Sequence, residues 1–138
     1  MNKNLSMRMW EPGDYPAYEA WHRARAVVPP PAAILPRCGV VVLDPDPAAA
    51  MFLYMENSGV GVCFLEHVAS RPGLPVGEAR EALVHGMRCM KALASSLDYG
   101  VMICNTLPAI ARTLRQEGWE RAGKNEKVTM ITTTRGGV

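Results

Sequence analysis

The stretch "LPVGEAREAL", residues 74–83, sets a proline and a glycine directly before a run of strong helical character. From Glu78 to Leu97 the apolar positions fall at 79, 82, 83, 86, 87, 90, 93, 94 and 97, the stripe of an amphipathic helix. The first turn of any helix leaves backbone N–H groups without intrahelical partners and carries partial positive charge, which suits a phosphate oxygen. Gly77 lets that backbone be approached closely, while Pro75 fixes φ and withholds one N–H. Two readings therefore stand side by side, an ordinary helix start and a phosphate-binding loop.

Upstream of this stretch, "LSMRMW" (5–10) alternates as a first strand, and "EPGD" supplies a turn with Asp14 as candidate N-cap of a helix through "YEAWHRARA". The prolines of "VVPPPAAILP" forbid a continued helix, so residues 29–36 read as an irregular connection. "CGVVVLD" (38–44) is a strand stopped by the prolines of "DPDP", and "AAAMFLYM" and "VGVCFLEHVAS" are two more strands joined by "ENSG". Downstream, "GVMICN" (100–105) is a buried strand, "LPAIARTLRQEGW" a second amphipathic helix and "KVTMITTT" a last strand. The order is β-α-βββ-α-β-α-β, an α/β (α+β) chain in which three consecutive strands form an antiparallel meander.

A chain of 138 residues fits one domain, residues 1–138. Its 15 Lys and Arg against 13 Asp and Glu leave no excess of charge for a nucleic-acid footprint. Cys38, Cys63, Cys89 and Cys104 show no C-x-x-C spacing and read as buried free thiols, with Met87, Met90 and Met102 as core fillers. Reduced thiols, an N-terminus without a signal-peptide pattern and the lack of a membrane-length apolar run lead to the expectation of a cytoplasmic protein without membrane contact. His22 and His85 have no second ligand at metal spacing and read as surface histidines, so no metal is expected.

The element order and two local patterns resemble the GCN5-related N-acetyltransferase (GNAT) family over nearly the whole chain. "LPVGEA" puts Gly77 and Ala79 on the last two positions of that family's pyrophosphate loop, with Leu74 where the family has Gln or Arg and Arg71 as the nearest basic side chain. "VMICN", "AIARTLRQE" and "GW" look like its strand, asparagine, helix and Gly-aromatic sequence, and Arg8, "EPG" and Asp14 look like its opening. The resemblance implies acetyl-CoA as cofactor, held by Val68, Arg71, Val76, Gly77, Glu78, Ala79 and Asn105, and a mixed, mostly antiparallel central sheet flanked by helices, whose fourth and fifth strands diverge between residues 64–70 and 101–105.

Acetyl transfer to nitrogen needs an amine freed of its proton and a polarised thioester carbonyl. The fourth strand offers Glu66 and His67 as candidate bases, expected on opposite faces because strand side chains alternate. Glu66 is preferred; a solvated sheet residue is the plain alternative for each. Leu114 stands where many members carry an acidic tyrosine, and Tyr54 and Tyr99 are more remote phenols. An acetyl-CoA-dependent N-acyltransferase acting on a small-molecule or protein amine is the preferred function. A catalytically inactive GNAT-fold binding or structural subunit is the alternative, and self-association or an assembly partner is left open.

Overall fold

The computed structural model describes residues 4–122 and 128–134. Its elements are β1 (Ser6–Met9), α1 (Tyr15–Ala24), β2 (Gly39–Leu43), β3 (Pro47–Met55), β4 (Val62–Ser70), α2 (Val76–Ser96), β5 (Val101–Thr106), α3 (Pro108–Gln116), β6 (Glu120–Arg121) and β7 (Val128–Thr133). Short 3-10 turns occupy Pro12–Asp14 and Ala32–Ile34. The strands follow the order β1-β2-β3-β4-β5-β7-β6, a mixed and mostly antiparallel sheet as expected, with one strand more, β6. Lys127 of the expected last strand and the terminal "RGGV" lie outside the described residues. The chain forms two compact units, Met1–Phe52 with His67–Met87, and Leu53–Glu66 with Arg88–Val138.

In the first unit β2 pairs antiparallel with β1 (Ser6↔Leu43 to Met9↔Val40) and with β3 (Gly39↔Phe52, Val40↔Met51, Val41↔Ala50, Val42↔Ala49). β2 and β3 are apolar on both faces because both faces are covered, whereas β1 at the edge is mostly exposed. A Cβ built on Gly39 would lie 2.6 Å from the Phe52 ring and 3.1 Å from Trp10 Cβ, on the face where Tyr18 of α1 stacks edge-on against Phe52 at 5.6 Å. A Cβ on Gly86 of α2 would meet Met51 and Val42 on the other face. Tyr18 and Trp21 are the buried pair of α1, 1% and 7% exposed.

The turn expected at 44–47 forms: β2 ends at Leu43, and Pro47 in addition opens β3, where a missing N–H is tolerated; an irregularity between Val42 and Leu43 brings it opposite Leu43. Asp14 occupies the N-cap of α1 without capping it by its side chain. Its carboxylate instead takes both Arg8 Nη atoms, at 2.6 and 2.8 Å, and the Glu11 amide at 2.8 Å. The strong guanidinium fork outcompetes a helix amide, holding Asp14 below the usual carboxylate range, the hydrogen bond from Arg8 being the main cause.

In the second unit β5 is central. It pairs antiparallel with β7 from Val101↔Thr133 to Thr106↔Val128, and β7 takes β6 through Glu120↔Ile131 and Arg121↔Met130. β4 runs parallel to β5 through Val62↔Val101, Cys63↔Met102 and Phe64↔Ile103. α3 packs on β6 and β7, burying Ala111 and Leu114, and ends at Gly118 with φ +91°. Arg88 and Glu117 form a forked ion pair at 2.6 and 3.0 Å. All four cysteines are free, Cys63 and Cys104 buried, Cys38 and Cys89 half-buried. No helix among the described residues is long and apolar enough to cross a membrane.

Candidate active site

The residues of the expected site divide between the units, His67, Val68, Arg71 and Val76–Ala79 in the first, Glu66 and Asn105 in the second.

In the first unit, β4 ends at Ser70 and α2 begins at Val76, two residues earlier than its apolar stripe suggests. The first intrahelical bond of this turn runs from the Ala79 amide to the Pro75 carbonyl at 2.9 Å. Ala79 therefore offers no donor to a ligand, while Val76, Gly77 and Glu78 are the amides that helix geometry leaves without a carbonyl four residues back. Pro75, Val76, Gly77 and Glu78 are all exposed, and a Cβ on Gly77 would meet no heavy atom within 4 Å. Nothing in the fold requires glycine there.

Leu74 and Arg71 explain the departure from the family pattern. Leu74 is drawn inward, packing on the buried cluster of Val42, Ala48, Ala49 and Ala82. Its side chain anchors the loop by burial where a polar residue would have to reach out. Arg71 is tied back to β3, its amide to the Ala48 carbonyl at 2.8 Å and its Nη1 to the Pro47 carbonyl at 2.9 Å.

His67 breaks β4. Its φ is +56°, left-handed and uncommon for a residue with a Cβ. Strand alternation holds only for extended backbone, so the expectation that Glu66 and His67 face opposite sides loses its basis at this residue. Tyr18 explains why the conformation persists: its hydroxyl donates to the His67 carbonyl at 2.7 Å. Burial, and secondarily the nearby His22, push the His67 imidazole below its ordinary pKa of 6.5, so it is neutral at neutral pH. His22 is no isolated surface histidine either, since its ring lies 4.6 Å from that of Tyr18 and its Nδ1 is 2.9 Å from the Tyr18 carbonyl.

In the second unit Glu66 acts electrostatically on two neighbours. Burial chiefly, and the Glu66 charge in addition, raise the Tyr54 phenol above its ordinary value and push the Cys104 thiol up to about 12. Tyr54 thus holds its proton beside a carboxylate, a juxtaposition the sequence offered no spacing to find. Asn105 is exposed within β5, opposite Thr129, and the N-cap of α3 is Leu107. Leu114, in the tyrosine position of the family pattern, is fully buried. No group of three His, Cys, Asp or Glu side chains suited to a metal occurs among the described residues.

No protein-family model matches the sequence, and no curated protein matches it. Solved structures do. N-acetylglutamate synthase from Neisseria gonorrhoeae, complexed with coenzyme A and N-acetyl-glutamate, is similar over 98% of this chain with a TM-score of 0.75 at 11% identity. This chain spans 36% of that protein's length. The ribosomal-protein-S18-alanine N-acetyltransferase of Escherichia coli is similar over 97% of this chain and 96% of its own, with a TM-score of 0.73 at 12% identity. An acetyltransferase of the GNAT family from Staphylococcus aureus Mu50 covers 95% and 99%, with a TM-score of 0.68 at 5% identity. At such identities the likeness lies in backbone architecture, and this chain has the fold of the GCN5-related N-acetyltransferases, in a divergent form.

Proposed function

We propose that the chain is a single GNAT-like domain over residues 1–138 that transfers an acetyl group from acetyl-CoA to an amine. The observation that carries the reading is Gly77: an exposed glycine, surrounded by open space, at the head of a 21-residue helix in a fold shared with a CoA-complexed neighbour. The amides of Val76, Gly77 and Glu78 would hold the pyrophosphate, and Arg71 retains guanidinium donors beyond the one bonded to Pro47. Val68, on β4 in the first unit, and Asn105, on β5 in the second, are separate candidates for further cofactor contacts. Bound acetyl-CoA supplies an activated thioester.

The chain's own task is then to take a proton from the amine. Glu66 is the preferred base, with Tyr54 a protonated neighbour, and His67, uncharged at neutral pH and able to accept a proton, is the second candidate. The acceptor is a small-molecule or protein amine, as in the neighbours named for glutamate and for a ribosomal-protein alanine. Thiol release from acetyl-CoA across a panel of amino acids, polyamines and peptide N-termini tests the reading. Glu66→Gln is expected to lower turnover at least tenfold with the affinity for CoA unchanged. If His67 is the base, His67→Gln does so instead, and the wild-type rate falls only below pH 6.5. Leu114 favours one other reading, a CoA-binding protein without transfer chemistry. Saturable CoA binding with no thiol release for any amine would support it.

A further inference from the structure

A cavity of about 490 Å³ opens in the first unit, lined by Trp10, Glu11, Pro12 and Tyr15 from the β1–α1 region and by Ala32, Leu35, Pro36 and Arg37 from the connection after α1. Its size is that of a small-molecule site. Its walls are held from behind. The Trp10 ring is clamped edge-on against Phe52 at 4.7 Å and Tyr18 at 5.3 Å, and the Trp10 amide donates to the Gly39 carbonyl at 2.8 Å. Tyr15 donates its hydroxyl to the Pro30 carbonyl at 2.8 Å, pinning the proline-rich connection that forms the opposite wall. That wall is stiffened by Pro36 and by the 3-10 turn whose Leu35 amide bonds to the Ala32 carbonyl at 3.2 Å. A fold that needed only to bury Trp10 and Tyr15 would close over them. Here both rings stay half-exposed on a preformed cavity.

The charges of the lining select the ligand. Glu11 already lies in the field of Arg8, and its amide is bonded to Asp14. Arg37 is exposed, and among the described residues its guanidinium has no carboxylate partner. The cavity thus combines two aromatic side chains, Trp10 and Tyr15, apolar Leu35 and proline walls, and one guanidinium whose planar fork matches a carboxylate.

We propose that this cavity binds a small aromatic carboxylate, its ring between Trp10 and Tyr15 and its carboxylate on Arg37. The proposal concerns binding alone and does not depend on acetyl transfer. Calorimetry on the whole chain without CoA tests it, with 3-phenylpropionate as the probe and phenethylamine and propionate as controls. Saturable binding of 3-phenylpropionate is expected, at least tenfold tighter than either control. Arg37→Ala should weaken it at least tenfold, and Ala32→Trp, which fills the cavity from an exposed position, should abolish it with the melting temperature preserved. No saturable binding of 3-phenylpropionate overturns the proposal. So does equal affinity for phenethylamine, or binding that survives both substitutions unchanged. If Ala32→Trp fails to fold, Arg37→Ala and the phenethylamine control decide alone.

Discussion

Two glycines of α2 lie nine residues apart and have opposite reasons to be glycine. Gly86 is buried, and a Cβ there would meet Val42 Cγ2 and Met51 Sδ at 3.0 Å each. Gly77 is exposed at the head of the same helix and has no heavy atom within 4 Å of a built Cβ. Glycine in a helix interior costs up to ~1 kcal/mol relative to alanine. At Gly86 close packing on β2 and β3 offsets that cost, whereas at Gly77 no packing does. On the proposed reading, the open position of Gly77 in the first turn leaves the backbone free for a ligand to approach.

The comparison can be broken most sharply at Gly86. Gly86→Val drives methyl groups into Val42 and Met51 and is expected to cost about 3 kcal/mol, seen as a fall of roughly 10 °C in melting temperature. A variant as stable as wild type would show that the α2 face of the sheet is looser than described. Gly77→Asp should do the reverse. A carboxylate in the first turn favours the helix by ~0.5 kcal/mol, so stability holds or rises while CoA binding is lost. Loss of both together would make Gly77 a packing residue like Gly86.

Smaller effects sharpen the account of the loop between these poles. Tyr18→Phe keeps the ring but leaves the His67 carbonyl without its donor, with an expected loss of about 1–2 kcal/mol in chemical denaturation. His67 itself gives a pH signature. Its folded pKa lies below its unfolded 6.5, so its contribution is fully present above pH 6.5 and is lost as pH falls through the folded value. His67→Gln should flatten the stability curve in that window. The Arg8–Asp14 fork is the smallest effect, because Arg8 is partly exposed and solvent screens the pair. Arg8→Met is expected to cost less than ~1 kcal/mol. Asp14 is held below 3.8, so the difference is present above that pH and vanishes as pH falls through the folded value.

Much of the fold was legible because its signals are local. The stripe of α2, the β-branched runs of β2 and β5 and the proline opening α3 each mark one element by themselves. β6 was missed because two exposed residues, Glu120 and Arg121, carry no pattern. That Pro47 also opens β3 was not legible because a proline ends one strand or begins another by the same chemistry, and only the register with Leu43 decides. The site was legible in part. Gly77 stands in a local motif, but the packing of Leu74 on Ala48 and Ala49 depends on a strand some 25 residues earlier. The bond from Tyr18 to His67 and the cavity wall at Arg37 are likewise long-range products of the fold, with no spacing in the sequence to announce them.

The central claim, that the open glycine at the head of α2 marks a cofactor site, is tested most directly by calorimetric titration of CoA into the wild-type chain and into Gly77→Asp. The account predicts one saturable site in the wild type and none in a Gly77→Asp protein that melts at or above the wild-type temperature. A wild-type chain that does not bind CoA, or a Gly77→Asp chain that binds it equally well, would contradict it.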